Sequence, residues 1–573
     1  MQLTGAKILV ECLLEQGVDT VFGYPGGTIL NVYDALYERS DKIRHILTAH
    51  EQGASHAADG YARSSNKVGV CLATSGPGAT NLVTGIATAY SDSSPVVFIS
   101  CNVAEGQLGK DSFQEVDIVG ITMPITKSTY LVRKVENLAD IVREAFAIAK
   151  GGRPGPVFID IMRNVTTEIA EFRCLPRKEH SSSGRLGALV RRASHSHDLK
   201  APEPDINDID KLVEMIAQSK KPLVICGGGV VRSRAQDEFK TFVERIDSPV
   251  AITVMGAGGF PGRNPLTTGM IGMHGSQASN TACDRCDLLI AIGCRFSDRV
   301  GLKFNTFAQN AKIVHIDIDR SEIDKNVQTH HHIIGDARRV LTLLNQKVAV
   351  CDHLDWKSEV FSFRTETEYD DAIDTLTPKQ VLDTIAKILP QNTVVSTDVG
   401  QHQMWTIQHF HFDYPGQLLT SGGFGAMGFG LGAAIGAKAA NPDKVVLLIT
   451  GDGCFRMNCH ELCTEEFYKL PIITVVFNNR TLGMVRQWQS LIYDKRYSQT
   501  DLDRGPDFVK LAEAYGISGS RVAKVEQLEE VLREALECSN NGKGYVIDCA
   551  IDPDEMVRPM IRSGCHITQF LLD

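Results

Sequence analysis

The sequence lacks any excess of positive charge. Its 59 Lys and Arg are outnumbered by 69 Asp and Glu, a formal net charge of -10. No dense Lys/Arg stripe appears, which excludes an extended nucleic-acid surface. The one basic cluster, Arg185 to Arg192, lies in a Ser-rich segment with Ser181-Ser182-Ser183 and reads as a solvated loop. No apolar run approaches the ~20 residues of a membrane span. No charged-then-apolar leader opens the chain, because helix signals begin at Thr4; a cytoplasmic chain is expected. Fifteen cysteines occur without framework spacing. Cys12, Cys71 and Cys226 sit in apolar strands or helices, as reduced, buried thiols do. Cys283-x-x-Cys286 has neither a second CxxC nor a paired His set, so no zinc site is expected there. His330-His331-His332 reads as a polar loop before a strand at Ile333.

What is present is a long run of apolar strands alternating with helices. At 573 residues the chain holds roughly three or four domains on the usual length prior. Strand-like runs at Ile43–Leu47, Val68–Ala73, Val96–Ile99 and Val157–Ile161 alternate with helical patterns such as Gln52–Ala62 and Leu82–Tyr90. That alternation predicts an α/β chain of three doubly wound domains with mainly parallel sheets. The expected divisions are residues 1–170, a linker over 171–205, a second domain over 206–345, a linker over 346–376, a third domain over 377–555, and a tail over 556–573. In the second domain, Gly227 and Gly228 follow the strand Leu223–Cys226, and Asp317 ends the strand Ile313–Ile316. A Gly-rich turn after one strand with an acid at the end of a later one is how Rossmann-like domains hold a dinucleotide, and Arg295 supports it. On its own a GGG turn is weak.

The most specific feature is Gly451-Asp452-Gly453 with Asn478-Asn479 downstream. Each follows an apolar strand-like run, Val445–Ile449 and Ile472–Phe477, and 24 residues, Cys454 to Phe477, separate them. The reading is strand, turn, helix around His460–Tyr468, strand. Oxygen ligands then stand at the ends of two strands of a parallel sheet, where such folds place ligands. A carboxylate plus an amide oxygen suits Mg²⁺, which takes its other ligands from phosphate and water.

This arrangement resembles the thiamine diphosphate motif. Over nearly its whole length the chain is similar to the catalytic large subunits of acetolactate synthase (acetohydroxyacid synthase). The resemblance is carried by FGYPGG (22–27), HEQGASHAADGYAR (50–63), TSGPGATN (74–81), DSFQE (111–115), GRPGPV (152–157), GMIGMHG (269–275), RFSDR (295–299), DVGQHQMW (398–405), SGGFGAMGFGLG (421–432), GDG with NN, and GMVRQW (483–488). It implies a pyrimidine-binding domain, a central FAD-binding domain and a diphosphate-binding domain. It also implies three cofactors: thiamine diphosphate, Mg²⁺ and a structural FAD. The implied reaction decarboxylates pyruvate and transfers the hydroxyethyl unit to a second pyruvate or to 2-oxobutyrate.

Residue by residue, the resemblance makes Glu51 the cofactor's activator, hydrogen-bonded to N1′ of the pyrimidine. A glutamate buried among Ala and Gly would have its pKa raised by desolvation and could share that proton. Asp452, Asn479 and the backbone carbonyl of Thr481 would ligate Mg²⁺. Gln401, His402, Gly453 and Cys454 would approach the diphosphate, and Gly400, Gly451, Gly483 and Met484 would also be cofactor-binding. Met427 would sit beneath the cofactor, and Val399 and Gly425 would flank the pyrimidine. Phe113 and Gln114 would reach over the site from a partner chain, as would Glu51, so a homodimer or tetramer is implied. FAD would lie along Gly227, Gly228, Arg295, Asp317 and Asp336, with His274 nearby. Arg299 would bind the carboxylate of the second 2-oxoacid bidentately, and Trp488, one of only three tryptophans, would shape the acceptor pocket. A regulatory small subunit is the usual partner. The chain departs from the family pattern at Ser297 (usually Asp), Cys454 (usually Ser or Ala), Cys101-Asn102 (a Gly-Gln pair) and Gly432 (a proline). The alternatives at this point are another thiamine diphosphate-dependent 2-oxoacid decarboxylase, a carboligase, or an FAD-dependent pyruvate oxidase.

Overall fold

The computed structural model describes residues 1–175, 200–364 and 376–571. The basic cluster Arg185 to Arg192 and most of the first expected linker lie outside them. Among the described residues are three six-stranded sheets, all parallel, with helices between the strands. Their strands are near-continuous apolar runs, as parallel strands covered on both faces must be. In Val446–Gly451 and Val157–Met162 every residue is buried.

The order of strands decides where ligands can sit. The N-terminal sheet runs Arg44–Leu47, Thr20–Gly23, Gly69–Thr74, Val96–Asn102, Val157–Met162, Ser128–Val132. The C-terminal sheet repeats that order with Leu418–Leu419, Val394–Thr397, Val446–Gly451, Ile473–Asn478, Tyr545–Ala550, Ser518–Val522. Counted along the chain, both are 2-1-3-4-6-5. The central sheet runs Thr267–Met270, Val250–Ile252, Pro222–Cys226, Leu288–Ile292, Lys312–Asp317, His331–Ile334. That is 3-2-1-4-5-6, the order of dinucleotide-binding folds.

The outer two units share one core. Helix Glu51–Ser65 lies against helix Phe429–Ala440, and Ala54, Ala57 and Ala58 join Ala433, Ala434 and Ala437 in one buried cluster. Small residues permit that approach. A Cβ on Gly436 would stand 1.9 Å from the Ala57 carbonyl oxygen, and one on Gly60 2.2 Å from that of Ala433. Gly436→Val therefore forces the two helices apart, and a loss of about 1–3 kcal/mol is expected. Scanning calorimetry checks this as a lower unfolding midpoint, with Gly106→Ala, which meets no neighbour within 4 Å, as the reference.

Three expectations meet a different structure. The polar loop expected at His330–His332 is partly strand, since His331 and His332 belong to His331–Ile334. His331 faces inward, with Nε2 2.8 Å from the Asp208 carbonyl oxygen; a strand alternates its faces, so one histidine of the run is buried. Between GDG and NN the helix expected around His460–Tyr468 is there, as Leu462–Phe467, but a further helix, Asp452–Asn458, precedes it where the reading has a turn. An acidic first residue complements the helix dipole there. The stretch expected as a linker over 346–376 carries the helix Leu354–Phe361. Trp356 buries itself and donates Nε1–H to the Pro222 carbonyl at 2.8 Å. No helix among the described residues is long and apolar enough to cross a membrane.

Candidate active site

In a doubly wound sheet, ligands bind beyond the carboxyl ends of the strands, where the strand order reverses. In the C-terminal sheet that point lies between Val394–Thr397 and Val446–Gly451. The strand ends and the helix starts that follow carry Asp398–His402 and Gly451–Cys454. Gly451 pairs with Phe477 of the next strand, so Asp452 and Asn479 leave neighbouring strands within one residue of the same level. Asp452 is buried, and burial pushes its carboxyl up to about 7, against the pull of the Gly453 N–H. Asn479 and Thr481 are buried too, and Asn479 Oδ1 accepts from Thr481 N at 3.2 Å. Thr481 Oγ1 is buried without a partner.

The rest of this cradle is built from tight backbone and small groups. Asp398 is fully enclosed and accepts from Gly430 N at 2.9 Å and Thr450 Oγ1 at 2.7 Å, which fixes the Val399–Gly400 turn. The Cys454 thiol donates to the Val399 carbonyl at 3.1 Å, so the cysteine holds the two loops together. The His402 ring stands where a Cβ on Gly451 would be, 2.9 Å from Nδ1. Its Nε2 is buried without a partner, and burial holds the imidazole neutral, with its pKa down to about 3. Gly425 is left-handed (φ +74°), and a Cβ there would meet only Val399 Cγ1, at 3.9 Å. Met427, half-buried, places Cε 3.8 Å from where a Cβ on Gly453 would stand. A Cβ on Gly483 would strike Gln401 Oε1 at 2.0 Å and Asn479 Nδ2 at 2.5 Å.

A cavity of about 740 Å³ runs from the central unit to this cradle. On the central side it is lined by Gly228, His274, Arg295, Asp317 and Asp336; toward the C-terminal sheet it is lined by Val399, Gly400, Gly425, Met484 and Trp488, with Arg299 beside them. The central sheet reverses order between Pro222–Cys226 and Leu288–Ile292, so Gly228 and Arg295 leave the two strands at the switch point. Gly227 does not line the cavity; a Cβ there would stand 2.1 Å from the Gly293 carbonyl, so it serves close packing. Burial raises the Asp317 carboxyl to about 6 and lowers His274 to about 4, and His274 Nε2 has no partner. Arg295 is anchored by Nη1–H to the Ser91 carbonyl at 2.8 Å. The Arg299 side chain is 62% exposed, with Nη1 3.4 Å from Met273 Sδ. Ser297 also lines the cavity.

Glu51 stands elsewhere. It is the first residue of its helix, buried at the carboxyl end of the N-terminal sheet. Its Oε2 accepts from Asn81 Nδ2 at 2.9 Å, and its Oε1 lies 3.2 Å from where a Cβ on Gly78 would stand. Neither Glu51, Phe113 nor Gln114 lines the cavity. Phe113 is 88% exposed, and Gln114, at φ +62°, packs over Gly76. Sequence reasoning missed Arg153 and Arg232. Arg153, inside the GRPGPV turn, lines the cavity and bonds Glu322 at 2.9 Å and Asp319 at 3.1 Å. Arg232 donates to the Asp92 carbonyl at 3.1 Å, while Asp92 accepts from Gly423 N and Arg63. Asp92 thus joins all three units at the cavity wall, a contact that no local spacing announces.

Comparison with known proteins meets this geometry. Residues 3–121 match the N-terminal thiamine pyrophosphate binding domain of thiamine pyrophosphate enzymes, 209–344 their central domain, and 398–549 their C-terminal thiamine pyrophosphate binding domain. The chain is 44% identical to the probable acetolactate synthase large subunit of Methanocaldococcus jannaschii, over 99% of this chain and 95% of that one. It is 41% identical to the acetolactate synthase isozyme 2 large subunit of Escherichia coli, over 99% of each, and 40% identical to the isozyme 3 large subunit, over 98% and 97%.

The chain belongs to the acetolactate synthase large-subunit family. Such a synthase is a transferase that works on thiamine diphosphate, with Mg²⁺ and FAD as the usual further cofactors of the family. The residues present fit these groups. Thr481 Oγ1 and His402 Nε2 are buried without partners, and burial raises the Asp452 carboxyl despite nearby Arg456; a cation and a diphosphate would satisfy such a lining. On the central side, His274 Nε2 and the enclosed Asp317 are a donor set for a dinucleotide.

Proposed function

We propose that the chain acts as an acetolactate synthase whose active site is assembled from two copies of itself. It takes pyruvate, releases CO₂, and transfers the hydroxyethyl unit to a second pyruvate or to 2-oxobutyrate. The products are 2-acetolactate and 2-aceto-2-hydroxybutyrate, at the first common step of branched-chain amino acid biosynthesis. Thiamine diphosphate, when bound, supplies the electron sink that decarboxylation requires. Asp452, Asn479 and the Thr481 carbonyl would hold Mg²⁺, and Gln401, His402 and Gly453 would hold the diphosphate. Val399, Gly425 and Met427 orient the rings. Glu51 holds a proton shared with N1′ of the pyrimidine. Gly228, Arg295, Asp317 and Asp336, which line the cavity, would hold FAD in a structural role.

One observation carries the carboligase reading. Arg299 and Trp488 border the same cavity as Val399, Gly425 and Met484. A decarboxylase needs only a proton source at that place. A carboligase must hold a second acid, and the partly exposed Arg299 guanidinium suits a carboxylate in bidentate geometry, while Trp488 bounds the space for its alkyl group. Incubation with pyruvate, thiamine diphosphate, Mg²⁺ and FAD tests this. One CO₂ and one acetolactate per two pyruvates is the expected result; acetaldehyde or peroxide in place of acetolactate would refute it.

Trp488→Leu is expected to leave pyruvate decarboxylation nearly unchanged. Its effect falls on the ratio of the two acceptor products in a mixture of pyruvate and 2-oxobutyrate, by about tenfold to a hundredfold, the range that one pocket contact commands. Product ratios by mass spectrometry check it.

Glu51 and Phe113 support the two-chain assembly. Glu51 faces Gly78 and Asn81 rather than the cavity, and Phe113 leaves a large apolar face in solvent on the same unit. The name "large subunit" borne by the relatives supports a smaller regulatory partner. Fifteen free cysteines, Cys12, Cys71 and Cys226 among them fully buried, support a cytoplasmic location.

A further inference from the structure

The cradle at Asn479 continues into the C-terminal tail through two buried amides. Gln401 Oε1 accepts from Asn479 Nδ2 at 3.2 Å. Gln401 Nε2 donates to Gln487 Oε1 at 2.9 Å and to the Glu555 carbonyl at 2.8 Å. Gln487 Oε1 also accepts from Val557 N at 3.0 Å, while its Nε2 donates to the Val557 carbonyl at 3.1 Å and to Met560 Sδ at 3.3 Å. Gln487 is 3% exposed and Gln401 4%. The Gln487 amide therefore has both donors and its oxygen engaged, three of these bonds going to the tail and one back toward Asn479. A fully connected buried network of this kind is costly to break at any one member.

The surroundings make the connection directional. Gln487 belongs to helix Gly483–Ile492, whose first residue packs on Gln401 and Asn479 and whose Met484 and Trp488 line the cavity. The tail runs along that helix. Asp554 accepts from Arg486 at 2.7 Å, and Arg562 donates to the Leu491 carbonyl at 3.1 Å. Beyond it, Ile561 N donates to the carbonyl of Met273, the residue whose sulfur touches Arg299. Ile561 and Ile567 are buried in one apolar cluster against which Trp488 packs. The tail thus backs the wall that carries both acceptor-side residues.

We propose that Gln487 is a positioning residue that couples seating of the tail, residues 555–561, to the metal ligand Asn479 through Gln401. Mg²⁺ binding orients the Asn479 amide, which orients Gln401, which presents its N–H to Gln487 and the Glu555 carbonyl. A seated tail in turn pre-orients Asn479 for the metal. This rests on the reading of Asp452, Asn479 and Thr481 as the Mg²⁺ ligands.

The test uses the full chain, as wild type, Gln487→Leu, Gln487→Glu and Asp452→Ala. It measures hydrogen–deuterium exchange of the 555–561 segment with and without Mg²⁺ and thiamine diphosphate, and Mg²⁺ affinity by calorimetry. In the wild type, Mg²⁺ and thiamine diphosphate should slow exchange in the tail. In Gln487→Leu that slowing should shrink to what the direct Gln401–Glu555 bond carries, and the half-saturating Mg²⁺ should rise about tenfold, as for outer-shell partners of metal ligands. Gln487→Glu keeps the shape and the acceptors but loses both donors to Val557 and Met560, and should behave likewise even where the leucine variant folds poorly. Strand Ile473–Asn478 reports retention of the fold. Faster tail exchange with unchanged Mg²⁺ affinity would make Gln487 a packing residue only and overturn the proposal. Mg²⁺ retained by Asp452→Ala would overturn the metal reading, and the coupling with it.

Discussion

Glu51→Gln is expected to cut kcat by about a hundredfold to ten-thousandfold, the span of positioned proton transfer, with Mg²⁺ affinity unchanged. The argument is geometric. Glu51 opens the Glu51–Ser65 helix with its carboxylate enclosed, and its one side-chain partner is the Asn81 amide. Among the described residues no arginine or lysine bonds it, so the carboxylate is not locked in an ion pair. Its backbone is pinned from the C-terminal unit, since Glu461 accepts from Ala49 N and His50 N, each at 3.1 Å. A glutamine at 51 fills the same space and keeps an acceptor for Asn81, but it cannot carry the shared proton. Steady-state kinetics with calorimetric Mg²⁺ titration checks both halves. Loss of Mg²⁺ affinity alongside kcat would mean that Glu51 acts through the fold rather than on the cofactor.

Asp452→Ala is the second large effect. The carboxylate is enclosed, and burial raises it to about 7. Nearby Arg456 offsets only part of that burial, and a divalent cation supplies the further positive charge that favours the ionised acid. Removing it takes away the only charged ligand of the proposed set. Mg²⁺ affinity should fall by more than about a hundredfold, beyond the loss typical of outer-shell changes. Binding of thiamine diphosphate should fall with it, while binding of FAD, on the central unit, should persist. Flavin absorbance retained through gel filtration, with thiamine diphosphate lost, is the expected signature. The apo protein should be no less stable, because alanine relieves a buried carboxylate.

Much of this was legible in the residues. Strands such as Val446–Gly451 and Ile473–Asn478 are apolar on both faces, and their short continuous runs, rich in β-branched residues, mark them. The strand-end positions of Asp452 and Asn479 follow from those runs. The helix beginning at Asp452 was not legible: Gly-Asp-Gly reads as a turn, and only the neighbouring strands hold that backbone in a helix. Gly227 and Gly228 are indistinguishable in sequence; the approach of Gly293 assigns one to packing and leaves the other to the cavity. Gln487 was passed over between Met484 and Trp488. Its partners lie 70 residues or more away, and no periodicity carries such information. Asp92 and Arg232 were missed for the same reason, 140 residues apart.

The two-chain site is the central claim, and complementation tests it most directly. Glu51→Gln and Asp452→Ala homodimers should each be nearly inactive. When the two are dissociated, mixed and reassociated, about half of the dimers are mixed by simple statistics. If Glu51 of one copy serves the Asp452 of the other, each mixed dimer holds one intact site and one carrying both changes. Activity should then return to about a quarter of the wild-type value. If each copy used its own Glu51 and Asp452, every site in the mixture would carry one lesion, and no recovery on mixing would contradict the account.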